Sequence, residues 1–264
     1  MIAAIWDKHA PDNVQPHAIQ LGRASRQIDL WGQPTPLKRN DLGQQIVQLS
    51  AMPILVDHVE PWLVDFRTSM QLKPRHVDSG QELVSFALEM AYQGAEPITG
   101  HGRLEAPKGW EIRPRNFSFA LMQRRTERLM FQARIPHNEP VGLKIILAKV
   151  TLDETGYYLE IPLEIEVGLS DVEVFGLALV ESQKLLLRQT VTNRSTEVLS
   201  FRATANVPGR QRQYRPIANL APGETQTVEY RFSNPRDLIG RHVQLSLREL
   251  NDGPRVHSLE LRVP

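Results

Sequence analysis

The chain has no cysteine, only 6% aromatic residues and almost no net charge, with 31 Lys and Arg against 30 Asp and Glu. The first absence excludes disulfide frameworks, thiolate zinc sites, iron–sulfur clusters and cysteine nucleophiles. The charge balance provides no field to gather DNA or RNA, so no nucleic-acid partner is expected. The longest apolar run, residues 141–148, is interrupted by Lys144. It is far below the roughly 20 apolar residues of a membrane-spanning helix, so no membrane insertion is expected. No basic stretch followed by an apolar core opens the chain, so no signal peptide is expected in this sequence. Met1-Ile2-Ala3-Ala4-Ile5-Trp6 instead enters straight into a strand-like run, which reads as a cut inside a longer protein.

What is present is period two, the mark of half-buried strands. Ile28-Asp29-Leu30-Trp31, Gln45-Ile46-Val47-Gln48-Leu49 and residues 83–90, 159–167 and 256–263 all alternate apolar with polar. Turn signals separate them: Trp31-Gly32-Gln33-Pro34, Pro107-Lys108-Gly109, Ala221-Pro222-Gly223 and Asn251-Asp252-Gly253-Pro254. Residues 250–253 are expected to close a hairpin, since Asp-Gly tolerates positive φ. Helical turns are expected only over residues 60–66 and 234–239, each with a proline near its start, where a missing N–H costs nothing. Short strands at this spacing predict sandwiches or barrels.

An internal repeat sets the expected domain count. Residues 96–107 can be laid on 197–208, and residues 121–131 on 220–230, sharing Glu, Pro, Leu and Thr identities and apolar positions. A repeat of roughly a hundred residues is the size of one immunoglobulin-like sandwich. The expected fold is therefore all-β, with three tandem β-sandwich, immunoglobulin-like domains. A small sandwich spans 1–60, a connector 61–70, and two larger sandwiches 71–168 and 169–264.

Particular motifs carry a resemblance. Ala106-Pro107-Lys108-Gly109-Trp110-Glu111-Ile112-Arg113-Pro114 resembles the Pro-x-Gly-Trp segment of the NPCBM-associated β-sandwich family. The strands and turns after it follow in the family's order, through Phe117-Ser118-Phe119, Leu129-Met130-Phe131 and Asn138-Glu139-Pro140-Val141-Gly142. Residues 169–264 keep that grammar but have Gly209-Arg210 in place of Gly-Trp. Residues 1–60 resemble the small β-sandwich that closes many clan A glycoside hydrolases after the (β/α)₈ barrel. Ile28-Asp29-Leu30-Trp31-Gly32-Gln33-Pro34-Thr35-Pro36-Leu37 and Met52-Pro53-Ile54-Leu55-Val56 carry that likeness. Together the resemblances imply the C-terminal, non-catalytic accessory region of a multidomain, polysaccharide-active protein. They further imply an upstream catalytic domain in the same polypeptide as its partner, polysaccharide as a candidate ligand, and an extracellular or periplasmic location. A carbohydrate-binding module and an extracellular protein-interaction scaffold are the alternatives.

The residues themselves offer little chemistry, and no enzyme is expected. Paired catalytic carboxylates belong at the mouth of a barrel, whose strand–helix alternation is absent here. Asp29, Glu60, Asp65, Glu105, Glu164 and Glu166 occupy polar strand positions or turns and read as solvated surface. No Gly-x-Ser-x-Gly or His-Glu-x-x-His occurs. His9 and His17 share a loop region, but no metal site or cofactor is expected. Sugars stack on exposed aromatic rings. Trp6 and Trp62 read as packing, Trp110 as the pin at one sandwich end, and Trp31 and Tyr157 as the candidate binding rings, with one ring of Tyr157-Tyr158 pointing outward by alternation. Arg202 and Arg210-Gln211-Arg212-Gln213-Tyr214-Arg215 form a basic stretch read as a solvated strand face. Asn116-Phe117-Ser118 and Asn193-Arg194-Ser195 match the glycosylation triplet.

Overall fold

A computed structural model of the chain describes residues 1–6, 15–23, 25–29, 31–137, 139–181, 183–251 and 253–264. In chain order, residues 1–60 form β1 (Ala3–Ile5), β2 (Gln15–Ile19), β3 (Arg26–Ile28), β4 (Pro34–Pro36), β5 (Gln45–Leu49) and β6 (Ile54–Asp57). Helix α1 (Pro61–Ser69) follows. Next come β7 (Gln71–Lys73), β8 (His76–Asp78), β9 (Leu83–Tyr92), β10 (Ile98–Glu105), β11 (Glu111–Arg113), β12 (Asn116–Leu121), β13 (Arg125–Arg134), β14 (Gly142–Leu152) and β15 (Tyr158–Gly168). The last stretch holds β16 (Val172–Glu181), β17 (Lys184–Asn193), β18 (Leu199–Asn206), β19 (Gln213–Leu220), β20 (Thr225–Ser233), β21 (His242–Glu249) and β22 (Val256–Arg262). The fold is all-β and sandwich-like, with α1 the one α-helix among the described residues.

Two compact units are distinguished. The first comprises Met1–Pro74, Ser85–Ala133 and Ile145–Glu164. Its opening residues make two small sheets, β1-β6-β3-β4 and β2-β5, closed on Leu21, Val47, Leu49, Val56 and Val59. Helix α1 starts on Pro61, which needs no N–H partner at that position, and buries Leu63 and Phe66. The Phe66 ring lies 5.7 Å from Phe119. Two larger sheets complete the unit, β11-β13-β9-β7 and β12-β10-β14-β15. Phe117 of β12 meets Phe131 of β13 edge-on at 5.8 Å, joining one sheet to the other. Gly102 pairs with Phe117 and Gly100 with Phe119 across β10 and β12. A Cβ at residue 102 would stand 2.5 Å from the Phe117 ring, so the missing side chain is what lets the ring lie over the strand.

The second unit comprises Arg75–Val84, Arg134–Lys144 and Ile165–Pro264. Here β8 runs parallel to the end of β15, pairing Glu166 with His76 and Gly168 with Asp78. Sheets β16-β17-β20 and β19-β18-β21-β22 enclose Leu185, Leu187, Phe201, Tyr230, Leu245 and Leu247. The Tyr230 hydroxyl donates to buried Gln189 at 3.1 Å, so the one large polar tip in this core is satisfied. Arg255 bridges Asp171 at 2.6 Å and Glu249 at 3.0 Å beside the start of β22.

The strand orders explain the sequence repeat. β10 lies between β12 and β14, and β18 lies between β19 and β21. Likewise β9 lies between β13 and β7, as β17 lies between β20 and β16. The aligned segments thus occupy like positions in their sheets. One expected strand is not formed as read: Ile28-Asp29-Leu30-Trp31 leaves the sheet at Ile28. The Asp29 carboxylate accepts from the Trp31 and Gln33 N–H groups at 2.9 and 2.8 Å and turns the chain there, while Leu30 lies outside the described residues. In the expected final hairpin, Asn251 has φ 59° and Gly253 N–H donates to Leu250 at 3.3 Å. Asp252 lies outside the described residues.

Candidate functional site

The sheet β12-β10-β14-β15 of the first unit turns alternate residues outward, and at Thr99, His101, Arg103, Glu105, Asn116, Ser118, Lys149, Thr151, Tyr158 and Glu160 they are polar. Register across three strands makes two rows. Ser118 stands opposite His101, which stands opposite Thr151; Asn116 stands opposite Arg103, which stands opposite Lys149. Tyr158, Glu105 and the backbone of Gly102 complete a shallow depression of about 640 Å³. Its side chains are held by one another. Lys149 Nζ lies 2.9 Å from Glu105 and 3.8 Å from Glu160. The Tyr158 hydroxyl donates to Glu160 at 3.0 Å. The hydrogen bond from Lys149 holds the Glu105 carboxyl below the usual carboxylate range and raises the Lys149 ammonium in turn, so the pair stays ionised. Burial and the bond to Glu160 push the Tyr158 phenol up. At one end His101 Nδ1 meets Asp153 at 3.0 Å, and Thr99 hydroxyl meets Asp153 at 2.9 Å. The arrangement presents fixed donors and acceptors.

Neither ring named in the sequence reading belongs to this face. Trp31 is 88% exposed at the tip of the β3–β4 hairpin, as expected, but it stands outside the polar rows. Tyr157 corrects the expectation of an exposed binding ring: it is only 7% exposed. Its ring stacks on Trp62 of α1 at 6.3 Å with 9° between planes, and its hydroxyl donates to Glu60 at 2.7 Å. Trp62 also meets Tyr92 edge-on at 6.1 Å. Burial and the neighbouring carboxylate push the Tyr157 phenol up to about 12. The outward ring of the pair is Tyr158, and Tyr157 is a clamp instead.

Other residues fall as follows. Trp110 is buried, as read, but Trp6 is 55% exposed and does not pack into the core. Glu60 is not simply solvated, since it accepts from Tyr157 and from the Arg23 N–H at 3.1 Å. Asp29 is a turn residue, and Asp65, Glu164 and Glu166 are exposed. In the basic stretch Arg210 binds Asp237 at 2.8 Å and Arg215 lies 5.5 Å over the Tyr230 ring, so those two cations serve the second unit's own fold. Asn193 is fully buried and its amide donates to Leu220 and Glu197 carbonyls at 2.9 and 2.6 Å, which removes it as a glycosylation acceptor. Asn116 is exposed. His9 lies outside the described residues, and among those described no group of three metal-ligating side chains is assembled. No described helix is long and apolar enough to cross a membrane.

The platform itself escaped sequence reading. Its members lie on four strands, and only strand register brings Arg103 beside both Asn116 and Lys149. Alternation along each strand was visible; the pairing was not.

No protein-family model and no curated protein matches the sequence. Among solved structures the chain is similar to the YadV chaperone, at 12% identity over 74% of this chain and 100% of the other, with a TM-score of 0.27. It is similar to the CupB2 chaperone of Pseudomonas aeruginosa at 8% identity, covering 73% and 100% with a TM-score of 0.23. A protein of unknown function from Porphyromonas gingivalis W83 matches at 13% identity, covering 74% and 96% with a TM-score of 0.28.

Proposed function

We propose that this chain is a non-catalytic accessory region of an extracellular or periplasmic, polysaccharide-active protein of glycoside hydrolase type. In this reading it braces and orients a catalytic domain carried elsewhere on the same polypeptide. The observation that carries the reading is the clamp at α1. Residues 1–60 resemble the sandwich that closes a hydrolase barrel, and they form their own two-sheet core. Glu60, at the end of that segment, and Trp62, in α1 just after it, are held by Tyr157 through a hydrogen bond and a stacked ring. A support has to transmit orientation, and a hydrogen-bonded, stacked junction does so where a Gly/Ser-rich linker would not.

The test is incubation of the chain with a panel of aryl glycosides and polysaccharides, with release of reducing ends measured. No release above buffer is expected, and turnover of any substrate overturns the reading. Fusing the chain behind a (β/α)₈ glycoside hydrolase catalytic domain supplies the positive arm. The fused domain is expected to keep its activity to a higher temperature than the domain alone. Loss of that gain in Trp62→Ala is expected if the clamp is the brace.

A further inference from the structure

We infer that the outward face of β19-β18-β21-β22 in the second unit binds a phosphate or sulfate ester, held between Arg202 and Arg248. The inference stands apart from the accessory reading above, because it rests on this face alone.

Register sets the two arginines directly opposite each other. Phe201 and Ala203 of β18 and Leu245 and Leu247 of β21 are buried, so Arg202 and Arg248 point the other way, and both are exposed. Opposed residues of an antiparallel pair hold their Cβ atoms about 4.5–5.5 Å apart, and like charges so placed repel. A guanidinium stays charged at any working pH, so neither arginine escapes by losing its proton. An acidic neighbour would cancel the repulsion, yet among the described residues neither has an ion pair or a hydrogen bond. Pro216 and Val256 complete their row, and the first acid in register on the face, Glu260, lies two rows on and meets His242 at 3.6 Å.

Guarding a sheet edge, a common use of strand cations, does not account for the pair. β18 and β21 are the inner strands of this sheet, with β19 and β22 outside them. A bound anion does account for it, because it turns a repelling pair into two charge-assisted contacts. Two facing forks also select the anion. Each guanidinium matches two oxygens, so one fork uses up a carboxylate, while a phosphate or sulfate ester has three oxygens to share between both. Thr204 and Ser246, opposite each other in the next row, add hydroxyl donors. Tyr214 stands opposite Thr204, diagonal to Arg202, and is 52% exposed. Its ring can stack on the body that carries the ester.

The experiment is thermal unfolding of the whole chain with phosphate, sulfate, acetate or chloride at matched ionic strength, then titration with glucose 6-phosphate and glucose 6-sulfate. Phosphate or sulfate is expected to raise the melting temperature beyond acetate and chloride, as a ligand of the folded state does. Arg202→Gln and Arg248→Gln are each expected to weaken binding about tenfold, the size of one lost charge-assisted contact. They also separate binding from the general stabilisation that these salts give any fold. Without ligand both variants should melt no lower than wild type, since each removes the repulsion. Arg103→Gln, which changes an exposed arginine of the first unit, is the control and should bind as wild type does. Tyr214→Ala is expected to weaken the sugar esters and leave inorganic phosphate unchanged. Tighter binding of one sugar ester names the ester and supports the site. Equal stabilisation of wild type and both arginine variants overturns the inference, as does either variant melting below wild type without ligand. Acetate matching phosphate overturns the choice of ester, and none of these failures touches the bracing role.

Discussion

The Tyr157 hydroxyl donates to the Glu60 carboxylate across 2.7 Å, joining residues 97 apart in the chain. Tyr157 is 7% exposed and stacked on Trp62, so the bond sits where water competes poorly. Tyr157→Phe keeps the ring and removes the donor, and is expected to lower stability by about 1–2 kcal/mol in urea unfolding. The phenol also ties stability to alkaline pH. Its pKa is raised from 10.0 to about 12 in the fold, so its contribution is complete below pH 10 and disappears as pH rises through 12. Wild-type unfolding midpoints should fall over that window more steeply than those of Tyr157→Phe, and parallel slopes would remove Tyr157 as the cause.

Arg255 makes the second prediction. Its guanidinium lies 2.6 Å from Asp171 and 3.0 Å from Glu249, with the Arg255 and Glu249 side chains only 19% and 12% exposed. Removing it leaves two carboxylates facing each other without a cation. Arg255→Ala is expected to cost about 1–3 kcal/mol. Arg194→Ala, which breaks a pair whose members are 60% and 64% exposed, should cost under about 1 kcal/mol. Thermal melts of the two variants side by side decide it; equal shifts would contradict the ranking.

Much of this architecture was legible because period-two alternation survives wherever one strand face is buried. β15 reads apolar at Leu159, Ile161, Leu163, Ile165 and Val167, and all five are buried. The proline at the start of α1 was equally local, so it could be read without contacts. What could not be read depends on pairing. Trp6 looked like core because its neighbours are apolar, yet it follows β1, which is a sheet edge, and is 55% exposed. Asp29 looked like a strand residue, but an aspartate able to accept two backbone N–H groups makes a turn instead. Tyr157 and Tyr158 differ by one position, and the register of the hairpin alone decided which ring faces α1 and which faces solvent.

Gly102 carries the third prediction. A Cβ there would lie 2.5 Å from the Phe117 ring and 2.8 Å from the Lys149 carbonyl oxygen. The ring could shift, but the carbonyl belongs to the β10–β14 ladder and cannot move without breaking pairing. Gly102→Ala is therefore expected to destabilise the chain by about 1–3 kcal/mol, although alanine is normally no worse than glycine in a strand. Gly209→Ala is the comparison, since nothing lies within 4 Å of its Cβ and its cost comes from φ of +69° alone. A neutral or stabilising Gly102→Ala would show that the Phe117 ring does not need the glycine beneath it.

His257 carries the last. It is 5% exposed on β22, and neither ring nitrogen has a hydrogen-bond partner. Burial disfavours the imidazolium and lowers its pKa from 6.5 to about 4. The unfolded chain therefore takes up a proton at higher pH than the folded one. Full stability holds above pH 6.5 and is lost progressively as pH falls toward 4, by about 3 kcal/mol in all. His257→Leu has no proton to bind and no ring nitrogen to desolvate, so it should be at least as stable as wild type at pH 7. Urea unfolding at pH 7, 5.5 and 4 should show the wild type losing stability faster than His257→Leu. If both fall together, the acid sensitivity belongs instead to carboxylates held low by a cation, as Glu105 is by Lys149.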